Sequence, residues 1–294
     1  IFPGVHRSFK FCLLTLGSAV DRAVFQFFAT RVEHLQVPER RFTLTPEDFE
    51  RINPNTKTCP VFRSNMDAEL TKKIYQRVPV LVDERKGDEG NPWGVRFMRM
   101  FDMANDSHLF RTATDLRDAG AEMDGNRWVD TDGTVWLPLY EAKMIHQYDH
   151  RWTTYDDEGG SAREVTEVEK ADPQFEPMPR YWVPESRVAS RLEAKDWSQK
   201  WLMGWRDICR TTDKRSVVVS AIPRVAANHK TPLFDTYKNN EWNAILFANL
   251  LSLPLDYFAR QKIGGTSLTY FFLKQFPIFP PGQYSKKDID FVTT

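Results

Sequence analysis

The sequence predicts an α+β protein in which mixed sheets are flanked by helices. Three observations carry that expectation. Short β-branched runs such as Arg215-Ser-Val-Val-Val-Ser-Ala-Ile222 end at turn residues, here Pro223, and read as buried strands. Capped starts such as Thr45-Pro46-Glu47-Asp48 announce helices: a hydroxyl at the cap, proline in the first turn, acids near the positive end. Asp132-Gly133 sits between two apolar runs and signals a hairpin.

In chain order, residues 9–16 and 22–30 read as two strands joined at Gly17-Ser18. Two apolar strands alone need a sheet to join. They read as the last hairpin of a domain lying upstream (1–37), the alternative being that they pair within this chain. Pro38–Arg41 is a polar joint that opens the main unit, 38–294. The helix from Thr45 stops before Asn53-Pro54-Asn55. Ser64–Arg77 carries a second cap, with Leu70/Ile74 and Glu69/Lys73 at helical spacing. Val78–Val82 and Trp93–Phe101 read as strands, and Ser107 caps a helix to Ala119 that stops at Gly120. Asn126–Asp130 and Thr134–Ile145 form the hairpin. Asp156–Glu176 holds eight acids against Arg163 and Lys170 with few large apolar groups, and reads as a long, mobile, solvated loop. Pro184–Ala194 is a short helix. Asn240–Ile263 is a long one that Pro254 kinks or breaks. Gly264-Gly265 ends it, Thr266 caps a last helix before Pro277, and Pro280-Pro281 leads to a tail.

The 294 residues hold 40 Lys plus Arg and 40 Asp plus Glu, so no global field draws the chain to a polyanion, and any such surface must be local. Cys12, Cys59 and Cys209 are far apart and form no CxxC pair, which fits a reducing cytoplasm and argues against a zinc finger or disulfide framework. No apolar run approaches the roughly 20 residues of a membrane span. The chain opens Ile-Phe-Pro with neither Met nor a signal-peptide pattern, and reads as a piece of a longer protein.

The local surface is sought around Arg215–Ile222. Arg206, Arg210, Lys214 and Arg215 precede it, Arg224 and Lys230 follow it, and Asp207 and Asp213 offset part of that charge. A rigid strand with cations on its flanking loops is a platform for a polyanion; the plainer reading is a core strand between solvated turns. Asp132 followed by Glu141-Ala142-Lys143 matches the layout of a metal-dependent nuclease, in which two carboxylates bind magnesium and a lysine assists the water. The same acid-x-Lys triplet recurs at Glu84/Lys86 and Glu193/Lys195, which weakens it. His146 and His150 invite a zinc reading, yet on a strand four residues span roughly 13 Å, too far for one ion. There is no P-loop, no G-x-S-x-G elbow, no dinucleotide fingerprint and no Asn-Pro-Pro-aromatic motif. Gly264-Gly265-Thr266 before a helix is a weak anion site.

Four stretches, Asn53–Tyr75, Pro138–Tyr155, Gly204–Arg224 and Arg260–Pro281, resemble in this order the C-terminal part of bacterial adenine-specific DNA methyltransferases of the type IIG restriction–modification and phage-defence kind. The resemblance implies a target recognition domain for double-stranded DNA, preceded by a methyltransferase domain that uses S-adenosylmethionine and flips an adenine from the duplex. The cofactor loop and catalytic motif lie outside these residues, so recognition rather than catalysis is implied, with no cofactor and no metal in this stretch. The residues expected to meet DNA are Arg206, Arg210, Arg215, Arg224 and His229, then Lys143, His146 and Arg151, then Lys274. The competing readings are the nuclease module of Asp132, Glu141 and Lys143, and a protein-interaction scaffold.

Overall fold

A computed structural model describes Gly4 and residues 11–156 and 160–293. Along these residues run the strands β1 (Ala23–Phe25), β2 (Phe42–Leu44), β3 (Val95–Met98), β4 (Glu122–Asp124), β5 (Arg127–Val129), β6 (Val135–Tyr140), β7 (Thr153–Tyr155), β8 (Ala162–Glu164), β9 (Trp182–Pro184), β10 (Trp201–Trp205), β11 (Val219–Pro223), β12 (Ala226–Ala227) and β13 (Leu233–Thr236). The helices are α1 (Pro46–Ile52), α2 (Asn65–Arg77), α3 (Ala113–Asp118), α4 (Glu167–Ala171), α5 (Glu185–Glu193), α6 (Asn240–Leu251), α7 (Leu253–Lys262), α8 (Tyr270–Leu273) and α9 (Lys286–Thr293). The chain is therefore α+β.

Two sheets organise it. One is antiparallel, in the order β11-β10-β13-β3; the other runs β12-β6-β5-β4, with β9 added to β6. In β10 the side chains alternate between two cores. Met203 and Trp205 join α6, α7 and α8 through Phe234, Ile245, Leu250, Leu255 and Leu273. Leu202 faces the second sheet with Ile222, Leu139, Val183 and Leu192. Both faces of β10 are thus dry, the condition for a stiff strand. A Cβ at Gly204 would stand 3.2 Å from Thr231 Cγ2 and 3.3 Å from Leu233 Cδ2, so a larger residue there would have to displace those side chains by a few tenths of an ångström.

The first two cap signals hold. Thr45 and Asp48 form a capping box on α1, and Ser64 caps α2. Asp130 N–H bonds Thr134 O across the Asp132-Gly133 turn, where Gly133 has φ +84°. Ser252 divides α6 from α7, with Pro254 in the first turn of α7, so proline breaks the long helix by starting a new one.

Other expectations are corrected. Residues 11–16 form no strand (9 and 10 lie outside the described residues), and β1 pairs with β2 instead, packing Phe25 and Phe27 on Phe42. On α2 the ion pair is Glu69–Lys72, not Glu69/Lys73. Val78–Val82 forms no regular strand but bridges Val80 to Pro277 and bonds Lys274 O and Phe276 O through Val82 N–H and Leu81 N–H, and Ser107–Ala119 divides into a 3-10 turn and α3, because Thr112 captures the cap. Thr266 does not cap the last helix, since α8 starts after Thr269, and the tail beyond Pro281 folds into α9. The acidic stretch is not structureless. Glu164 and its neighbours pair with β7, and Thr166 with Glu169 closes a capping box on α4.

Candidate nucleic-acid interface

β10 and β11 are joined by the loop 206–218, which α7 holds from below. Asp256 accepts from Ser216 N (2.7 Å) and Val217 N (2.9 Å), and Arg260 Nε donates back to Asp256 at 3.0 Å. The Arg260 guanidinium also donates to the carbonyls of Thr211, Asp213 and Lys214. On the other flank, Lys230 Nζ meets the buried Asp207 carboxylate at 2.9 Å. The loop is therefore fixed by partners far away in sequence rather than left to sample conformations.

Above it opens a cleft of about 360 Å³ lined by His146, Arg206, Lys214 and Arg215, with Asp213 as its acid and Ile208, Cys209 and Val218 as its apolar part. Three permanent cations face a single carboxylate in that lining. Burial lowers Arg206 from its ordinary value, against the opposing pull of Asp213 and Glu164. Burial, then the Arg206 charge, also holds the His146 imidazole below its usual value. The Cys209 thiol is pushed up to about 12 by burial, so it stays protonated and is no nucleophile at neutral pH.

The structure brings Arg206, Arg215 and His146 to this cleft, and Arg210 stands exposed on the same loop. Arg206 Nε donates to Ile145 O at 2.7 Å, and Arg215 Nη2 to Leu251 O at 2.6 Å, where it satisfies the last turn of α6. Among the described residues, no hydrogen bond or ion pair engages the side chains of Arg210 and Lys214. His146 sits in a tight turn that places Tyr148 at φ +62°; its N–H and carbonyl are both bonded to Asp149, and the His146 ring lies 4.3 Å from that of Trp152. That turn is neither the helix nor the strand considered for a zinc pair with His150.

The remaining candidates are not in the cleft lining. Arg224 Nη1 donates to Trp197 O (2.9 Å) and Gln199 O (2.7 Å) at the opposite end of β11. Arg151 ties down the acidic segment through the carbonyls of Lys170, Asp172 and Phe175. Lys274 pairs with Glu84 at 2.6 Å. His229 Nδ1 accepts from Met103 N–H at 3.2 Å and lies 3.7 Å from Asp102. Lys143 is exposed, its ammonium 4.6 Å over the Tyr155 ring. Asp132 and Glu141 lie beyond opposite ends of the six-residue β6, roughly 25–30 Å apart at strand rise, so they cannot share an ion. Asp132 instead accepts from Thr134 N–H in the hairpin turn. No group of three His, Cys, Asp or Glu side chains among the described residues could hold a metal ion, and none of their helices is long and apolar enough to cross a membrane.

Sequence reasoning placed Lys214 in the cation cluster but did not single it out, and it missed Asp256 and Arg260 as the support beneath. A signal for the latter existed: the two are four apart on one helix, with the acid first. Ile208, exposed at the rim, carried no signal beyond its position between Asp207 and Cys209.

No protein-family model matches the chain, and no curated protein matches it.

Proposed function

We propose that this chain binds double-stranded DNA as the target-recognition part of an adenine-specific methyltransferase system, and that the cleft beside β10 and β11 receives the phosphate backbone. The observation that carries the DNA contact is the lining of the cleft: three permanent cations and a histidine against one carboxylate, in a chain whose total charge is zero. A local field of this kind attracts phosphates, and a cleft with low-dielectric walls focuses it. Arginine forks suit phosphate oxygens, and among the described residues the side chains of Arg210 and Lys214 have no competing hydrogen-bond or ion-pair partner to give up. The resemblance of the four stretches supports the methyltransferase assignment; under it, S-adenosylmethionine and the chemistry on the flipped adenine belong to a preceding catalytic domain.

The test is the affinity for a 20-base-pair duplex, followed by fluorescence anisotropy. Lys214→Glu should weaken binding by about tenfold or more, since it reverses a charge at a phosphate contact. Equal affinity in the variant would reject the cleft as the DNA contact.

A further inference from the structure

We propose that His146 takes up a proton when DNA enters the cleft, so that binding at this site tightens as the pH falls from about 8 to about 6. The inference rests on the reading of the cleft as a DNA contact. His146 lines the same cavity as Arg206, Lys214 and Arg215. In the free protein a fourth cation in this cleft is opposed. Burial and Arg206 disfavour the imidazolium, and Lys170 of α4, whose ammonium lies 4.5 Å over the Trp152 ring, adds to them. The acids that act the other way are Asp149 of its own turn and Glu164 of β8. Asp213 is the acid of the cleft lining.

An arriving phosphodiester reverses the field that His146 feels. It neutralises the arginines and lysine and offers oxygens that an imidazolium, a donor at both ring nitrogens, can satisfy. The phosphodiester itself does not titrate in this range. The sign then follows from linkage. The complex binds more protons than the free protein, so affinity rises as pH falls between the value of His146 in the complex and its lower value in the free chain. Above that window both states are deprotonated, and below it both are protonated, so the dependence vanishes at each end. One linked proton limits the gain to about tenfold per pH unit.

The experiment uses the whole chain and a 20-base-pair duplex at constant ionic strength. Binding is measured at pH 6, 7 and 8 for the unaltered protein, His146→Gln and His150→Gln. His150 is the control: burial also lowers its ring, but it does not line the cleft. The unaltered protein and His150→Gln should gain about three- to fivefold from pH 8 to pH 6, and His146→Gln less than about 1.5-fold. Ring-proton titration of the unaltered protein supplies a reading that needs no variant: the His146 midpoint should move up by about one unit when duplex is added. A His146→Gln protein with the full pH dependence, or an unmoved His146 midpoint in the complex, would overturn the proposal while leaving the DNA contact standing. Absence of binding at every pH would reject both.

Discussion

The β10–β11 ribbon has two ends, and the basic residues at them have different fates. At the Trp201/Pro223 end, Arg224 reaches two backbone carbonyls, those of Trp197 and Gln199. At the Trp205/Val219 end, the loop leaves Arg210 and Lys214 without side-chain partners among the described residues, while Arg206 and Arg215 line a cleft. The two ends share a strand pair and a residue type. What separates them is whether every basic residue finds a carbonyl: at the cleft end Arg206 and Arg215 do, at Ile145 O and Leu251 O, but Arg210 and Lys214 do not among the described residues. A guanidinium brings five donors, and carbonyls that need them turn the residue into a pin. Where a loop's carbonyls are satisfied by other means, as Arg260 satisfies them for this one, Arg210 and Lys214 stay available to a ligand, whereas Arg206 and Arg215 bond carbonyls outside the loop.

The largest effect that would break this comparison lies under the loop. Asp256→Ala removes the acceptor of Ser216 N–H, Val217 N–H and Arg260, and should cost about 3 kcal/mol in denaturant unfolding. A loss well under about 1 kcal/mol would mean that the loop is not held from α7. Next is the pin at the other end. Arg224→Ala leaves two carbonyls without a donor and should cost about 1–2 kcal/mol of stability, while DNA affinity stays within about twofold. A smaller effect sharpens the electrostatics of the cleft. Glu164 opposes the charge of Arg206 and His146 from β8, so Glu164→Gln should strengthen DNA binding by about twofold at low salt.

The acidic segment supplies a pH test with no ligand. Bonds from the Arg163 guanidinium, then from the Thr166 N–H and hydroxyl, hold Glu169 at about 2. An unfolded glutamate titrates near 4.3, so this is a depressed carboxylate. The order it lends to α4 is present above the unfolded value and is lost as pH falls through about 2. Amide protection across residues 166–171 should therefore survive from pH 5 to pH 3. Its disappearance near pH 4 would show that the Arg163 contact does not form in solution.

The parts that could be read from sequence were the local ones. The Thr45 and Ser64 caps, the Asp132-Gly133 hairpin and the division of the long helix at Pro254 each rest on residues within a few positions of one another. β10 escaped because both of its faces are buried, so Trp-Leu-Met-Gly-Trp shows no polar alternation. β13 escaped because its Asp235 looks like a solvated acid; in the fold it is buried and paired with Arg96 at 2.7 Å. In the acidic stretch, overall charge obscured a capping box, Thr166-x-x-Glu169, that was present in the letters. At the site, the cluster of basic residues was visible, and Arg206 and Arg215 do line the cleft with His146. Which cations would be tied elsewhere was not visible, because the carbonyls that bind Arg224, Arg151 and Arg215 are about 20 to 40 residues away, and only the fold brings them near.

The most direct measurement is the salt dependence of DNA affinity for three proteins side by side: the unaltered chain, Lys214→Ala and Arg224→Ala. With roughly four to six phosphates neutralised, log affinity should fall with log salt at a slope of about −4 to −5 in the unaltered chain. Lys214→Ala should make it shallower by about 1, and Arg224→Ala should leave it unchanged. A slope near zero in the unaltered chain, or equal changes in the two variants, would contradict the claim that the two ends of the ribbon differ and that the cleft end meets DNA.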